Sequence, residues 1–175
     1  ALPRVTGTVA LVRHAHAGRR ATWSGPDIGR PLDAEGWSQA AALAPLVALV
    51  RPTRLLSASP RRCVQTLDPT AALLDLPIEI CGDLDEPAPG QQPDECALAA
   101  AARLAGLAAT GEPVGVCSQG KVIPPALEAL AGCSPRLRRS AGEASYHTGK
   151  GGGWVLAFAG SDLIAADPLP VASTD

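Results

Sequence analysis

The chain has 175 residues, 46% hydrophobic and 18% charged, which is about one domain of chain and too apolar for disorder. Its 15 basic and 17 acidic residues leave a net charge of −2, which argues against bulk electrostatic attachment to nucleic acid or to a membrane surface. Three Trp, one Tyr and one Phe are too few for base-stacking platforms, and no stretch approaches the roughly 20 apolar residues of a membrane span.

Residues 1–7 are expected to be a disordered leader or linker remnant, ahead of a single domain filling the rest of 1–175. TVALVRH (8–14) is a β-branched apolar run, which predicts a buried strand ending at Arg13 and His14. Residues 17–34 are polar and rich in Gly and Pro, and 36–51 have helical apolar spacing with a bend expected at Pro45. RLLSAS (54–59) reads as a second strand, and the helix after it opens at Pro60, a residue at home in a first turn. PIEIC (77–81) is a third strand, followed by a Pro- and Gly-rich loop (83–93) and a high-propensity helix over 94–110. PVGVCS (113–118) is a fourth strand and 120–132 a helix entered through a glycine. Residues 154–167 resemble two strands around a Gly-Ser-Asp turn, a hairpin at the sheet edge.

This alternation predicts an α/β fold: a three-layer α/β/α architecture, its sheet mainly parallel, with helices on both faces and a C-terminal edge hairpin. Ligands of such sheets bind at the carboxyl ends of the strands. Those ends hold Arg13-His14, Ser57-Ala58-Ser59-Pro60 and Cys117-Ser118-Gln119, which are expected to meet in space.

Arg13 and His14 directly follow a strand, so the backbone aims both side chains at one place. A neutral imidazole can attack phosphorus through one ring nitrogen when the other is held, and neighbouring Arg charge disfavours the imidazolium. Of the 15 basic residues 13 are Arg, the side chain suited to bidentate contact with phosphate. Arg61 and Arg62 fall in the first turn of a helix, where the helix terminus already favours anions. Taken singly, each cluster has an ordinary structural reading: a strand cap, a solvated basic turn, a strand-to-helix junction.

Together they resemble the histidine phosphatase superfamily, also called phosphoglycerate-mutase-like. The resemblance rests on LVRHAHAG (11–18), RPLDAEGWSQA (30–40), SASPRRCVQT (57–66) and VCSQG (116–120), in the family's order and covering residues 8 to about 167. The short chain is similar to the SixA-like branch. Its tail and the CSQGKVIP variant look like the C-terminal domain of bacterial two-domain Nudix hydrolases of the MutT type, without the Nudix part. The resemblance implies that His14 is the phosphorylated nucleophile and that Arg13 and Arg62 bind phosphoryl oxygens. Arg62 rather than Arg61 is the match because it stands four residues before Thr66. The proton donor lies among Asp85 and Glu86, of which Glu86 is preferred, and His16 is expected at the pocket mouth as a substrate contact.

Two residues depart from the pattern. Ala15 replaces the glycine of the Arg-His-Gly motif, and Gln119 replaces a second histidine. Gln119 is expected to donate its amide hydrogen to the anion that His14 attacks, and loss of one such donor can cost about 3–4 kcal/mol in the transition state. The resemblance therefore implies a metal-independent phosphohydrolase, with no cofactor, acting on small phosphorylated metabolites with nucleotides favoured. The competing reading is a weakened phosphate-binding or Nudix-partner domain. Neither nucleic acid nor membrane is expected as a partner.

Cys63, Cys81, Cys96, Cys117 and Cys133 include no C-x-x-C pair, which fits free thiols and a cytoplasmic location. Cys117 lacks the arginine six residues on that a cysteine phosphatase loop needs, that position being Ile123. The glycines of 148–153 precede a strand instead of a helix, so they make no phosphate loop, although Lys150 is placed to approach an anionic substrate. His14, His16 and His147 form no metal motif, and Arg136, Arg138 and Arg139 read as a solvated face.

Overall fold

A computed structural model of the chain describes residues 1–137 and 145–171. Strand β1 (Gly7–Arg13) leads to helix α1 (Ala34–Ala48), β2 (Arg54–Ser57), α2 (Arg61–Leu74), β3 (Ile78–Ile80), α3 (Pro93–Ala109), β4 (Val114–Ser118), α4 (Ile123–Cys133) and the hairpin β5 (Gly153–Ala159) and β6 (Asp162–Pro168). One six-stranded sheet runs in the order β3-β2-β4-β1-β5-β6. Its first four strands are mutually parallel, and β5 pairs antiparallel with both β1 and β6.

Handedness explains the layers. The connections through α1 and α2 step one way across the sheet and the connection through α3 steps back, so right-handed crossovers put α3 on the opposite face. Accordingly α1 packs on α2, and α3 packs on α4. With so few aromatics the core is aliphatic. Val9, Leu11, Leu43, Leu55, Leu104, Leu127 and Leu156 are fully buried, and Phe158 alone adds a fully buried ring among the described residues.

Several boundaries differ from the periodicity for identifiable reasons. Gly7, expected in the leader, is already paired with Phe158, and the Thr6 amide donates to the Phe158 carbonyl. Helix α1 starts two residues earlier than expected because the Asp33 side chain accepts the Gly36 amide at 2.8 Å and caps it. It runs on through Pro45, and the chain turns away where Arg51 adopts φ 54°. Asp162 belongs to β6, so Gly160 and Ser161 alone make the hairpin turn. The basic cluster near the end divides: Arg136 is exposed, and Arg138 and Arg139 lie outside the described residues.

Candidate active site

Strand register brings the three predicted ends together. Arg13 faces Ser118 across β1 and β4, Ser57 faces Cys117 across β2 and β4, and the His14 amide donates to the Ser118 carbonyl at 3.1 Å. His14 thus sits just beyond the middle of the sheet, only 6% exposed, in a cleft of about 430 Å³. Its Nδ1 lies 2.8 Å from the Ala15 carbonyl. A carbonyl only accepts, so Nδ1 carries the hydrogen and Nε2 keeps its lone pair. Burial, reinforced by the Arg62, Arg13 and Lys150 charges and opposed by the Ala15 bond, lowers the His14 pKa to about 4. The imidazole is therefore neutral at pH 7.

Arg13 is held by its neighbours. Its Nη1 donates to the Thr148 carbonyl at 2.8 Å, while Trp154 Nε1 donates to Thr148 Oγ1 at 2.8 Å and packs edge-on against Tyr146. The Arg13 guanidinium lies across Gly120, where a Cβ would meet its Cζ at 2.6 Å, so only glycine leaves it room. Burial lowers the Arg13 pKa, and the Glu86 carboxylate offsets part of that effect.

Arg62 is 2% exposed at the start of α2, whereas Arg61 is exposed to solvent. Arg62 donates through Nη1 to the Asp27 carbonyl at 2.9 Å and through Nη2 to Asp27 Oδ2 at 3.1 Å. The same carboxylate takes Nε–H of Arg30 at 3.0 Å and of Arg20 at 3.2 Å. Burial disfavours its charge, but Arg30, Arg62 and Arg20 outweigh burial and hold the Asp27 pKa at about 2. Arg13 and Arg62 each retain a buried Nε–H with no protein partner. An unpaired buried donor costs roughly 1–3 kcal/mol. Both donors lie on the guanidinium groups whose charges bear on His14.

Thr66 ties α2 to the histidine loop: its Oγ1 donates to the Arg62 carbonyl at 2.7 Å and accepts the Ala15 amide at 2.9 Å. The Ala15 methyl is accommodated in a small apolar cluster with Ala17, Leu32 and Ala40. Of the two candidate acids, Glu86 lines the cleft, while Asp85 accepts the Ser59 amide at 2.6 Å and fastens its loop to the end of β2. Gln119 is 3% exposed and is not among the cleft-lining residues. Its Oε1 accepts the Glu86 amide at 2.9 Å, so the carbonyl end positions Glu86 and the NH₂ end is left to donate elsewhere. His16 departs from expectation: its ring hydrogen-bonds the Asp33 carboxylate, with Glu35 3.6 Å away, and it is not among the cleft-lining residues.

Around the rim stand Arg20, Arg30, Lys121 and Lys150, with His147 beside them. With Arg13 and Arg62 this lining has six cations against one carboxylate, Glu86, which favours a multiply charged anion. Sequence reading assigned no role to Arg20, Asp27, Arg30, Lys121 or His147. The RPL stretch contained Arg30 and pointed to it; nothing in the sequence signalled that Asp27 gathers three arginines. Volume does not single out this cleft, since hollows of about 500 Å³ beside Arg54 and Arg103 and about 420 Å³ beside Asp83 and Glu95 are comparable. What distinguishes it is a bare imidazole nitrogen among cations. Burial raises the pKa of Cys117, which opposes a thiolate nucleophile there. No helix among the described residues is long and apolar enough to cross a membrane.

A family model described as the histidine phosphatase superfamily (branch 1) matches residues 9–103. An 8-oxo-(d)GTP phosphatase of Mycolicibacterium smegmatis is 38% identical over 168 residues, covering 95% of this chain and 49% of that protein. The chain thus spans about half the length of this curated relative. A Nakamurella multipartitia protein assigned by name to SixA superposes with a TM-score of 0.67 at 24% identity, covering 97% of this chain and all of that one. SixA of Agrobacterium tumefaciens superposes with a TM-score of 0.65 at 22% identity, covering 95% and 99%. These two structural likenesses bear on the fold.

Proposed function

The chain belongs to the histidine phosphatase superfamily, and from that premise we propose that it is a metal-independent phosphohydrolase acting through phospho-His14 on a small phosphorylated metabolite, with nucleotides as the substrate class. The observation that carries this reading is the state of His14: Nδ1 tied to a carbonyl, Nε2 bare, the ring neutral at pH 7, and Arg13 and Arg62 lining the same cleft. Nε2 attacks phosphorus and the bond to the leaving oxygen breaks. Glu86 gives that oxygen its proton. Water then attacks the phosphohistidine, its proton passes to the Glu86 carboxylate, and inorganic phosphate leaves with His14 restored. Arg13 and Arg62 neutralise the phosphoryl oxygens in flight, and a ready nucleophile and fixed cations do the work a metal ion does elsewhere.

The nucleotide assignment draws support from the 8-oxo-(d)GTP phosphatase relative and from the cationic rim. Gln119 supports a competing reading, a domain that binds phosphate or a Nudix partner without turnover, because a neutral amide stands where the family has a second histidine. Phosphate release from a panel of nucleotides and sugar phosphates, in the presence of chelator, separates the two. Turnover is expected, and His14→Ala is expected to abolish it together with an acid-labile, base-stable phosphoenzyme. Substantial activity in that variant would overturn the mechanism.

A further inference from the structure

Beside the cleft, and sharing Gly18 and Arg30 with it, lies a second hollow of about 180 Å³. Trp23 is the aromatic residue of its lining, which also includes Ala17, Pro31 and Leu32. Whole-ligand sites run to roughly 300–1,000 Å³, so a hollow this small takes a fragment whose remainder lies in the adjoining cleft.

Trp23 is built into this position instead of being left over from the core. It is 37% exposed and belongs to neither hydrophobic cluster of the fold. Its Nε1 donates to the Pro26 carbonyl at 3.0 Å, and its amide donates to the Arg20 carbonyl at 3.2 Å. Gly25 lies against the ring: a Cβ there would meet Nε1 at 3.1 Å and Cζ2 at 3.3 Å, so a side chain would push the indole aside. The segment that fixes the indole also carries Arg20, Asp27 and Arg30, and Asp27 joins it to Arg62 in the phosphate site. The aromatic wall and the anion site are therefore held in one register. An indole pinned by its N–H and its backbone, with part of its surface open, is a preorganised stacking surface.

Resting on the phosphohydrolase reading above, we propose that the Trp23-walled hollow is the leaving-group subsite and takes a flat aromatic ring, of the nucleobase class, from a substrate whose phosphate lies at His14. A single ring held beside a phosphate site gives selectivity for the leaving group and needs none of the clustered aromatics of a single-strand binding surface.

The test compares a nucleoside 5′-monophosphate with glycerol phosphate, an aliphatic ester carrying the same phosphate. Trp23→Ala is expected to lower the ratio of the two kcat/KM values about tenfold or more, while Trp23→Phe, which keeps a flat face, preserves most of it. Competitive inhibition by inorganic phosphate reports whether the cleft is intact in each variant. Calorimetric titration with guanosine monophosphate gives a readout independent of turnover, and Trp23→Ala is expected to weaken that binding by a similar factor. Unchanged nucleotide binding in Trp23→Ala, with phosphate inhibition intact, overturns the subsite. Weakened nucleotide binding in a protein that hydrolyses neither ester sustains the subsite and overturns the phosphohydrolase reading instead.

Discussion

A nucleophile must be both uncharged and aimed, and at His14 these demands are met by separate contacts. The Ala15 carbonyl selects the tautomer, and burial with nearby cations keeps the ring neutral down to about pH 4. The acidic limb of kcat/KM is therefore expected to fall near pH 4, well below the ordinary histidine value near 6.5. An acidic limb centred at 6.5 would show that His14 is not held as described. Gln119 makes a sharper case. The Glu86 amide can only donate, so any residue that replaces Gln119 and keeps this contact must accept there. A histidine that accepts through one nitrogen is neutral, so Gln119→His is expected to stay within about threefold of the parent at pH 7, each tenfold in rate needing about 1.4 kcal/mol. Gln119→Ala frees Glu86 and is expected to lower kcat about tenfold, on the same scale. A rise of tens-fold in Gln119→His would show that its ring is charged and that the Glu86 contact has been given up. The sequence made the substitution at 119 visible, but not its contact, because Glu86 arrives from a loop 33 residues away.

Among the elements, the segment between β1 and α1 was the least legible. Composition marked 17–34 as loop, and the RPL stretch marked a motif, yet the segment is organised by long-range charge: Asp27 accepts from Arg20 and Arg30 of its own segment and from Arg62 of α2. Periodicity carries no information about such a contact. Helices and strands were readable because their burial repeats locally, and α2 was readable further because Pro60, Arg62 and Thr66 lie within about two turns of each other. Asp27 is a positioning residue, and Asp27→Asn separates position from charge. The substitution loosens Arg62, which is expected to lower kcat about tenfold, a loss of about 1.4 kcal/mol. It also removes a negative charge from among three arginines, so inorganic phosphate is expected to inhibit no less tightly than before. Weaker phosphate inhibition with kcat unchanged would mean that Asp27 serves occupancy of the site and not the geometry of the reaction.

At the scale of the whole molecule, the chemistry and the stability are coupled through the same buried ring. Parallel strands β1, β4 and β2 end side by side, so the sheet places its most apolar segment directly beneath the site, and a histidine there is desolvated by the fold itself. That much followed from strand order and was legible once four strand-helix units were recognised. The energetic consequence needed the burial. In the unfolded chain His14 binds a proton near pH 6.5, whereas in the native state it does so near 4. Between these values the unfolded state holds more protons, so native stability rises with pH across that window. The contribution is fully present above about 6.5, and about 3 kcal/mol is lost once pH has fallen through the native value. Urea unfolding of the parent and of His14→Gln from pH 4 to pH 7 isolates this effect, since the variant lacks the titrating ring. The parent's stability is expected to climb more steeply, the two curves diverging below pH 6.5. Saturating phosphate is expected to flatten the difference, because an anion beside the imidazole favours its protonated form and brings the native pKa back toward the unfolded one. Parallel curves without phosphate would mean that His14 is solvated in the native state, and the neutral nucleophile would lose its physical basis.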